Sequence, residues 1–455
     1  MAMYAASQTC VDFAISLRLE TVPAAVTEQA KKCVLDWLGC AIQGSAQQPA
    51  KIIRNYVHLI NGSAQASVLG YGARSSIYNA ALANGFVGHI LEMDDVHRSS
   101  ISHPGAAVVP AALSVGEWKR ATGRELLRAI IAGYEVMLRI GRAVTPAHYR
   151  IWHTTATTGV FGATIAAGLL LGLTKEELTW AFGNAGTMAS GLWEFLHDNA
   201  MSKYLHAGKA AATGVMAAAL AMLGLSGARR ILEGVQGFFA GYAGQEVNPI
   251  VFEDFGSRFE TLALSFKPYP CCRHTHAAID CARLLHPRLA DRLGGIEEIA
   301  IETYSQAVQV ANIDEATNAR QAQFSLKHCV GVALLRGQVA LGDFEGPSLH
   351  DPTLDHLRAR MRVAVANDLD GLLPAAWPAR VRVVMGDGEQ LEETVRYPRG
   401  DPENPLSWDD LTDKFMSLTR EIVGFERAQE LVTMCKSLEA LEDCGQLMRR
   451  ASIGE

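Results

Sequence analysis

Four stretches of this chain set polar groups in apolar surroundings, and each holds residue types that can bind an anion or move a proton. GHILEMDDVHRSSISHPG carries His89, Glu92, Asp94, Asp95, His97, Arg98 and His103. Glu92, Asp94 and Asp95 are close enough along the chain to repel, which raises the pKa of at least one of them. Three readings are open: an active-site loop, an acidic surface loop, and a metal site, since Asp and His are hard or borderline ligands. No HExxH, EF-hand or paired CxxC spacing supports the metal. AHYRIWHTTATTGVFGA places His148, Tyr149 and His153 before a Thr- and Gly-rich helix start. The N–H groups of such a start suit a carboxylate or phosphate. Equally, Thr154 or Thr155 can serve as the N-cap, with His153 satisfied nearby.

The third stretch, HDNAMSKYLHAGKAA, holds Lys203, His206 and Lys209. Lys203 and His206 share a helix face, beside an Ala-rich segment where lysine is less ordinary than on a polar face; a solvated helix end is the plainer alternative. The fourth, FKPYPCCRHTHAAIDCARLL, clusters Lys267, Cys271, Cys272, Arg273, His274 and His276 around two stiffening prolines. Adjacent cysteines fit poorly to C-x₂₋₄-C zinc geometry, and no second half-site follows. A Cys–His nucleophile pair is conceivable. A cationic loop that binds a carboxylate is the most economical reading. There is no P-loop, no strand–GxGxxG–helix and no GxSxG elbow. What remains suits proton transfer beside a carboxylate, with cations holding the anionic charge.

Composition narrows the class. A chain of 455 residues is long enough for two or three domains. Its net charge of −7 argues against a nucleic-acid partner and against a polybasic membrane anchor. Nine cysteines are too sparse for a disulfide framework and cannot all pair within the chain, which predicts reduced thiols in a cytoplasm. The N-terminus lacks the basic and apolar regions of a signal peptide. The apolar run from Gly159 to Leu173 falls short of the ~20 residues of a bilayer span and reads as a buried helix.

Periodicity then places the four stretches on elements. Thr27, Glu28 and Gln29 predict the start of a helix through AKKCVLDWLGCAI, with Ala30, Cys33, Val34, Trp37, Leu38 and Ile42 at helical spacing. Thr174 with Glu177 fits a capping box. Ala207 to Gly227 reads as a small-residue helix whose neighbours can pack close. Beyond about residue 265 the pattern changes. IEEIAIETYSQAV, ARVRVVMGD and GEQLEETVRYP alternate like strands, the last two joined through Gly386, Asp387 and Gly388. FSLKHCVGVALLRG and DPTLDHLRARM read as helices between them. After the Pro-rich connector Arg399–Trp408, WDDLTDKFMSLTREIV is amphipathic helix again. The fold class predicted is mainly α: a large all-α helical domain built from both chain ends (1–265 and 401–455) plus a smaller α+β domain, 266–400.

Six segments together resemble the MmgE/PrpD family, which includes 2-methylcitrate dehydratase, cis-aconitate decarboxylase and iminodisuccinate epimerase. They are LDWLGCAIQGS, GHILEMDDVHRSSISHPG with VVPAALSVGE, WHTTATTGVFGATIAAGLLLGL, SKYLHAGKAA, KPYPCCRHTHAAID and GDPENPLSWDDLTDKF. The resemblance implies an all-α domain with an α+β lid, a cleft between them, no metal or organic cofactor, and a homodimer. It places the family's acidic loop on Glu92, Asp94 and Asp95, its HP histidine on His103, its pre-helix histidine on His153, and its two lysines on Lys203 and Lys267. The decarboxylase resembled carries His where Cys272 aligns; the epimerase carries Cys there and shares the HY…WH pattern of His148, Tyr149 and His153.

The expected activity is a hydro-lyase acting on a small di- or tricarboxylic acid of the 2-methylcitrate kind. His153 or an Asp94/Asp95 carboxylate would take the α-proton. His103 would protonate the departing hydroxyl, and Lys203, Lys267 and Arg273 would bind carboxylates, with Glu92, Cys272 and His276 lining the site. Epimerisation, with Tyr149 as second acid–base, and decarboxylation are the enzymatic rivals. A non-catalytic carboxylate sensor is the rival of a different class.

Overall fold

Capping residues mark where the helices of this chain begin. A computed structural model describes residues 5–198 and 200–452. Thr122 and Glu125 form a capping box on the helix Gly123–Val144, and Thr174 and Glu177 form the expected one on Lys175–Thr187. The first long helix starts earlier than Thr27, at Ala24 behind Pro23, and runs to Ser45. The small-residue helix spans Ser202–Met222; it stops short of Gly227 because Gly224, at φ +96°, already turns the chain. Thr154–Leu171 is long and apolar enough to cross a membrane, but 94% of it is buried among other helices.

The chain divides into two compact units. One takes the sequence up to Ser265 and again from Ser407; the other is Phe266–Leu406. Residues 401–406, expected with the C-terminal helices, stay with the second unit, where Arg273 grips Asp401 at 2.5 Å. The first unit is a stack of helices, and Trp408–Val423, capped by Ser407 and Asp410, packs on Ala24–Ser45.

Glycines set how closely these helices approach. A Cβ on Gly133 would lie 2.7 Å from the carbonyl oxygen of Gly162, and one on Gly162 would lie 2.7 Å from that of Gly133. A Cβ on Gly208 would meet the Leu82 carbonyl oxygen at 2.3 Å, and one on Gly85 would meet the Gly208 Cα at 2.9 Å. The second crossing presses Ile77–Gly88 onto Ser202–Met222. It has a chemical consequence, because the first helix ends at His89 and the second carries Lys203 in its first turn. His103 and His153 occupy the N-cap positions of Pro104–Lys119 and Thr154–Leu171.

The second unit has a four-stranded sheet in the order Met361–Val365, Ile296–Thr303, Ala379–Met385, Gln390–Val395. The last two form the expected hairpin. Met361–Val365 was not read from the sequence; it pairs parallel with Ile296–Thr303 and only its first residue is buried, so its apolar alternation is weak. Ile296–Thr303 ends at Thr303, and Ser305–Ala311 is helix. His276–Leu289 and Leu326–Arg336 contribute to the core of this unit, through Ile279, Leu285, Val330 and Leu334 with Ile299, Val381 and Val383.

Helix propensity alone makes Gly208→Ala stabilising by about 1 kcal/mol. The backbone contacts at this crossing reverse that sign, since overpacking costs roughly 1–3 kcal/mol. Urea unfolding of the Gly208→Ala protein should therefore give a lower midpoint than wild type.

Candidate active site

The acidic stretch is not a surface loop: Glu92, Asp94 and Asp95 are all buried. At its centre Asp94 Oδ2 lies 2.7 Å from His89 Nδ1 and 3.3 Å from His103 Nδ1. His103 Nδ1 also lies 2.8 Å from the Asp95 carbonyl oxygen, which can only accept, so His103 carries its proton on Nδ1. Its Nε2 is then the nitrogen through which it can exchange a proton. One carboxylate thus orients two imidazoles. The side chain of His103 keeps 13% exposure, whereas His89 has none. His89 Nε2 is buried with no hydrogen-bond partner among the described residues. The nitrogens and oxygen of His89, Asp94 and His103 lie within 4.8 Å of one another, a spacing a metal ion could also use.

Asp95, expected to touch substrate, has both carboxyl oxygens hydrogen-bonded within the protein. Its Oδ1 accepts from the Gly105 backbone N–H at 2.9 Å, in the first turn of the helix that His103 caps, and its Oδ2 accepts from the Tyr134 hydroxyl at 2.9 Å. Burial, with the charges of Asp36 and Asp94 nearby, pushes Asp95 up to about 8. The repulsion read from the sequence is real, but burial is its larger cause. The folded protein therefore holds a proton that the unfolded chain releases near 4, and the stability this contributes is lost as pH rises through about 8.

Glu92 is a non-glycine residue at φ +57°, a conformation that costs about 1–3 kcal/mol. Its carboxylate forms a close ion pair with Lys203, and both are buried. Lys203 thus brings a positive charge beside the acidic stretch without being an uncompensated buried cation.

His153 faces the same neighbourhood from another helix end. Its ring lies 5.9 Å from that of His89 and 4.6 Å from Trp193. Its Nδ1 is 3.2 Å from His206 Nδ1, so one of these nitrogens carries a proton and the other does not. Neither Thr154 nor Thr155 caps the helix; the Thr155 hydroxyl accepts the backbone N–H of His103 at 3.0 Å, tying the two histidine-bearing helix ends together. Burial holds His153 well below the usual imidazole range, helped by His89, Lys203, His206 and His103. Burial, with His89, Lys209 and Lys203, lowers His206 to about 4. Lys209 donates to the Met188 carbonyl at 2.9 Å, and Gly191 accepts the His153 backbone N–H at 3.0 Å, so residues 188–193 are strapped across this helix start. Tyr149 is half-buried and packs edge-on to Trp193 at 4.9 Å, on the ring that also covers His153.

The second unit holds the other residues read from the sequence. Lys267 is buried. Arg273 donates to Asp401 at 2.5 Å and to the Arg399 carbonyl at 2.9 Å, and its guanidinium lies 2.8 Å from His276 Nδ1. Arg273, expected with His276 to bind substrate, thereby also fastens residues 398–401. Cys272 is buried, and its backbone N–H donates to the Gln323 carbonyl at 2.9 Å. His274 lies 2.5 Å from the Tyr304 hydroxyl and packs on Trp377; burial, with Lys267 and Arg273, lowers it to about 3.

Sequence reading underweighted three residues. His89 and His206 stood in the chosen stretches without a role, and nothing in their spacing revealed that each meets a histidine from another element. Trp193 carries no sequence signal; only the strap at 188–193 brings it onto His153.

Residues 8–250 match the MmgE/PrpD N-terminal domain, and residues 269–440 match the MmgE/PrpD C-terminal domain. The chain is 27% identical to the cis-aconitate decarboxylase of Homo sapiens over 444 residues, 93% of this chain and 89% of that one. It is 27% identical to the cis-aconitate decarboxylase-like protein oryM of Aspergillus oryzae over 464 residues, 95% and 94% of the two chains. It is 25% identical to the 2-methylcitrate dehydratase of Cupriavidus necator over 402 residues, 82% and 81%.

The histidine arrangement has a direct readout. NMR of the isotope-labelled protein should find His153 neutral throughout the range where free histidine titrates, His206 protonating only near 4 and the Asp95 carboxyl carbon titrating near 8. A His153 or His206 midpoint near 6.5 would contradict the buried contact between them.

Proposed function

Because the chain belongs to the MmgE/PrpD family, we propose that it is a lyase that removes water from a small hydroxy-polycarboxylate of the 2-methylcitrate kind. One observation carries the reading. The His89 ring lies 4.9 Å from His103 and 5.9 Å from His153, so three imidazoles gather beside the buried carboxylate of Asp94. The Asp94 carboxylate lies 3.3 Å from His103 Nδ1, whereas burial and neighbouring cations favour the neutral form of His153. Paired groups pushed apart in this way mark acid and base assignments.

In this mechanism His153 donates its Nδ1 proton to the contact with His206 and presents a lone pair on Nε2. That nitrogen takes the substrate proton α to a carboxylate. Charge moves onto the carboxylate oxygens, where Lys203 stabilises it. His103 gives its Nε2 proton to the β-hydroxyl; the C–O bond breaks, water leaves and an alkene forms. His153 then returns its proton to solvent and His103 regains one, while Asp94 holds the His103 ring in place. General acid–base groups of this type contribute about 10²–10⁴-fold each. Tyr149 is proposed as a polar group beside the base.

A second reading is loss of carbon dioxide, favoured because the decarboxylase and decarboxylase-like relatives align over 93–97% of this chain and the dehydratases over 82%. Carbanion chemistry at Lys203 is common to both; the leaving group differs.

Incubation with citrate, 2-methylcitrate and cis-aconitate in D₂O, followed by NMR, separates the outcomes. Alkene signals with intact carboxylates support the dehydratase, and carbon dioxide release supports the decarboxylase. Deuterium at an inverted saturated centre means epimerase, and stabilisation by acids without any product means a sensor. With the acid that turns over, His153→Ala and Lys203→Met should each lower kcat/KM by about 10²-fold or more while circular dichroism is unchanged. Near-native rates from both variants would remove this site from the chemistry.

A further inference from the structure

Behind the acidic stretch sits a cation that arrives from the far end of the chain. Lys414, on Trp408–Val423, donates to Asp36 Oδ1 at 2.6 Å and to the Met93 carbonyl at 2.7 Å. Asp36 lies on Ala24–Ser45; its side chain has no exposure, and that of Lys414 has 7%. Met93 separates Glu92, which pairs with Lys203, from Asp94, which holds His89 and His103. A lysine that only balanced Asp36 would not need a backbone carbonyl of this loop as its second ligand. The loop needs an external hold, because Glu92 is in a left-handed conformation that relaxes unless its surroundings enforce it. The charged or titratable groups around Lys414 are Asp36, Cys40 and Asp94; those around Asp95 are Asp36, Asp94, Tyr134 and Cys33.

We propose that Lys414 is a positioning residue for the acid–base site, with Asp36 as its orienting partner: by fixing the Met93 carbonyl it sets the peptide from which Asp94 bridges His89 and His103. The proposal rests on the acid–base reading of those three residues. It makes the C-terminal segment of the chain a working part of the site. It also gives a chemical reason for the first unit to be built from both chain ends.

Three full-length proteins test it: wild type, Lys414→Met, and the pair Asp36→Asn with Lys414→Met. The double variant removes both charges together, so it restores any stability lost through an unpaired Asp36. The substrate-free readout is the set of downfield Nδ1–H signals of His89 and His103 in ¹⁵N-histidine-labelled protein. The second readout is the division between kcat and KM on whichever carboxylic acid turns over. Positioning predicts that the double variant unfolds like wild type, loses or shifts both Nδ1–H signals, and loses about 10²-fold in kcat with KM little changed. Native signals and native kcat in the double variant would overturn it, and leave Lys414 as the counter-ion of Asp36. Shifted signals in a protein that turns over no acid would keep the positioning and remove the lyase reading instead.

Discussion

A carboxylate taken out of water must be met by donors or cations, and that requirement organises the first unit of this protein. Asp94 is met by the His89 imidazole, with that of His103 3.3 Å away, Asp95 by a helix N–H and a tyrosine hydroxyl, Glu92 by Lys203, and Asp36 by Lys414. Removing one member of such a pair leaves a charge in a place that cannot solvate it, so each contact fixes its neighbour. The acidic stretch is therefore rigid at the points where chemistry would need it rigid, and Glu92 is kept at a positive φ that the isolated chain would abandon.

Helix ends supply the partners. His89 closes one helix, His103 and His153 open two others, and Lys203 lies in the first turn of a fourth. Ends can gather like this only if the helices behind them cross closely, which is what the alanines and glycines of the first unit permit. At Gly208 the approach is so tight that a methyl group would overlap a carbonyl of the neighbouring helix. The small residues carry no chemistry, yet they determine whether Lys203 reaches the acidic stretch.

Burial then divides the histidines by function. His148 lies within 2.7 Å of the Tyr242 carbonyl and of the Thr157 hydroxyl, so both its nitrogens are spent and it acts as a strut. His274 and His276 are similarly engaged in the second unit, with Tyr304 and Arg273. His103 Nδ1 lies 3.3 Å from the Asp94 carboxylate, whereas His153 lies among another imidazole, aromatic rings and positive neighbours. The same residue type thus meets very different surroundings in one fold.

Much of this was legible in the residues themselves. Capping boxes at Thr174 and the hairpin at Gly386–Gly388 are local, and local rules found them. The change of periodicity near residue 265 separated helical from mixed structure, and clustering of Asp, His and Lys marked the stretches that hold the site. Other features depend on partners from 10 to 378 positions away. The parallel strand Met361–Val365 is assigned by pairing with Ile296–Thr303, not by its own alternation. Arg273 reads as a free cation until Asp401 is placed beside it, and Asp95 as a ligand until Tyr134 and Gly105 take its oxygens. His206, Trp193 and Lys414 acquire meaning only from what they touch. Sequence determined which chemical groups this protein owns and on which elements they ride, because caps, turns and periodicity act over a few residues. Tertiary structure decided which of those groups are spent on one another and which remain for a substrate, because burial and hydrogen-bond partners are properties of space, not of spacing along the chain.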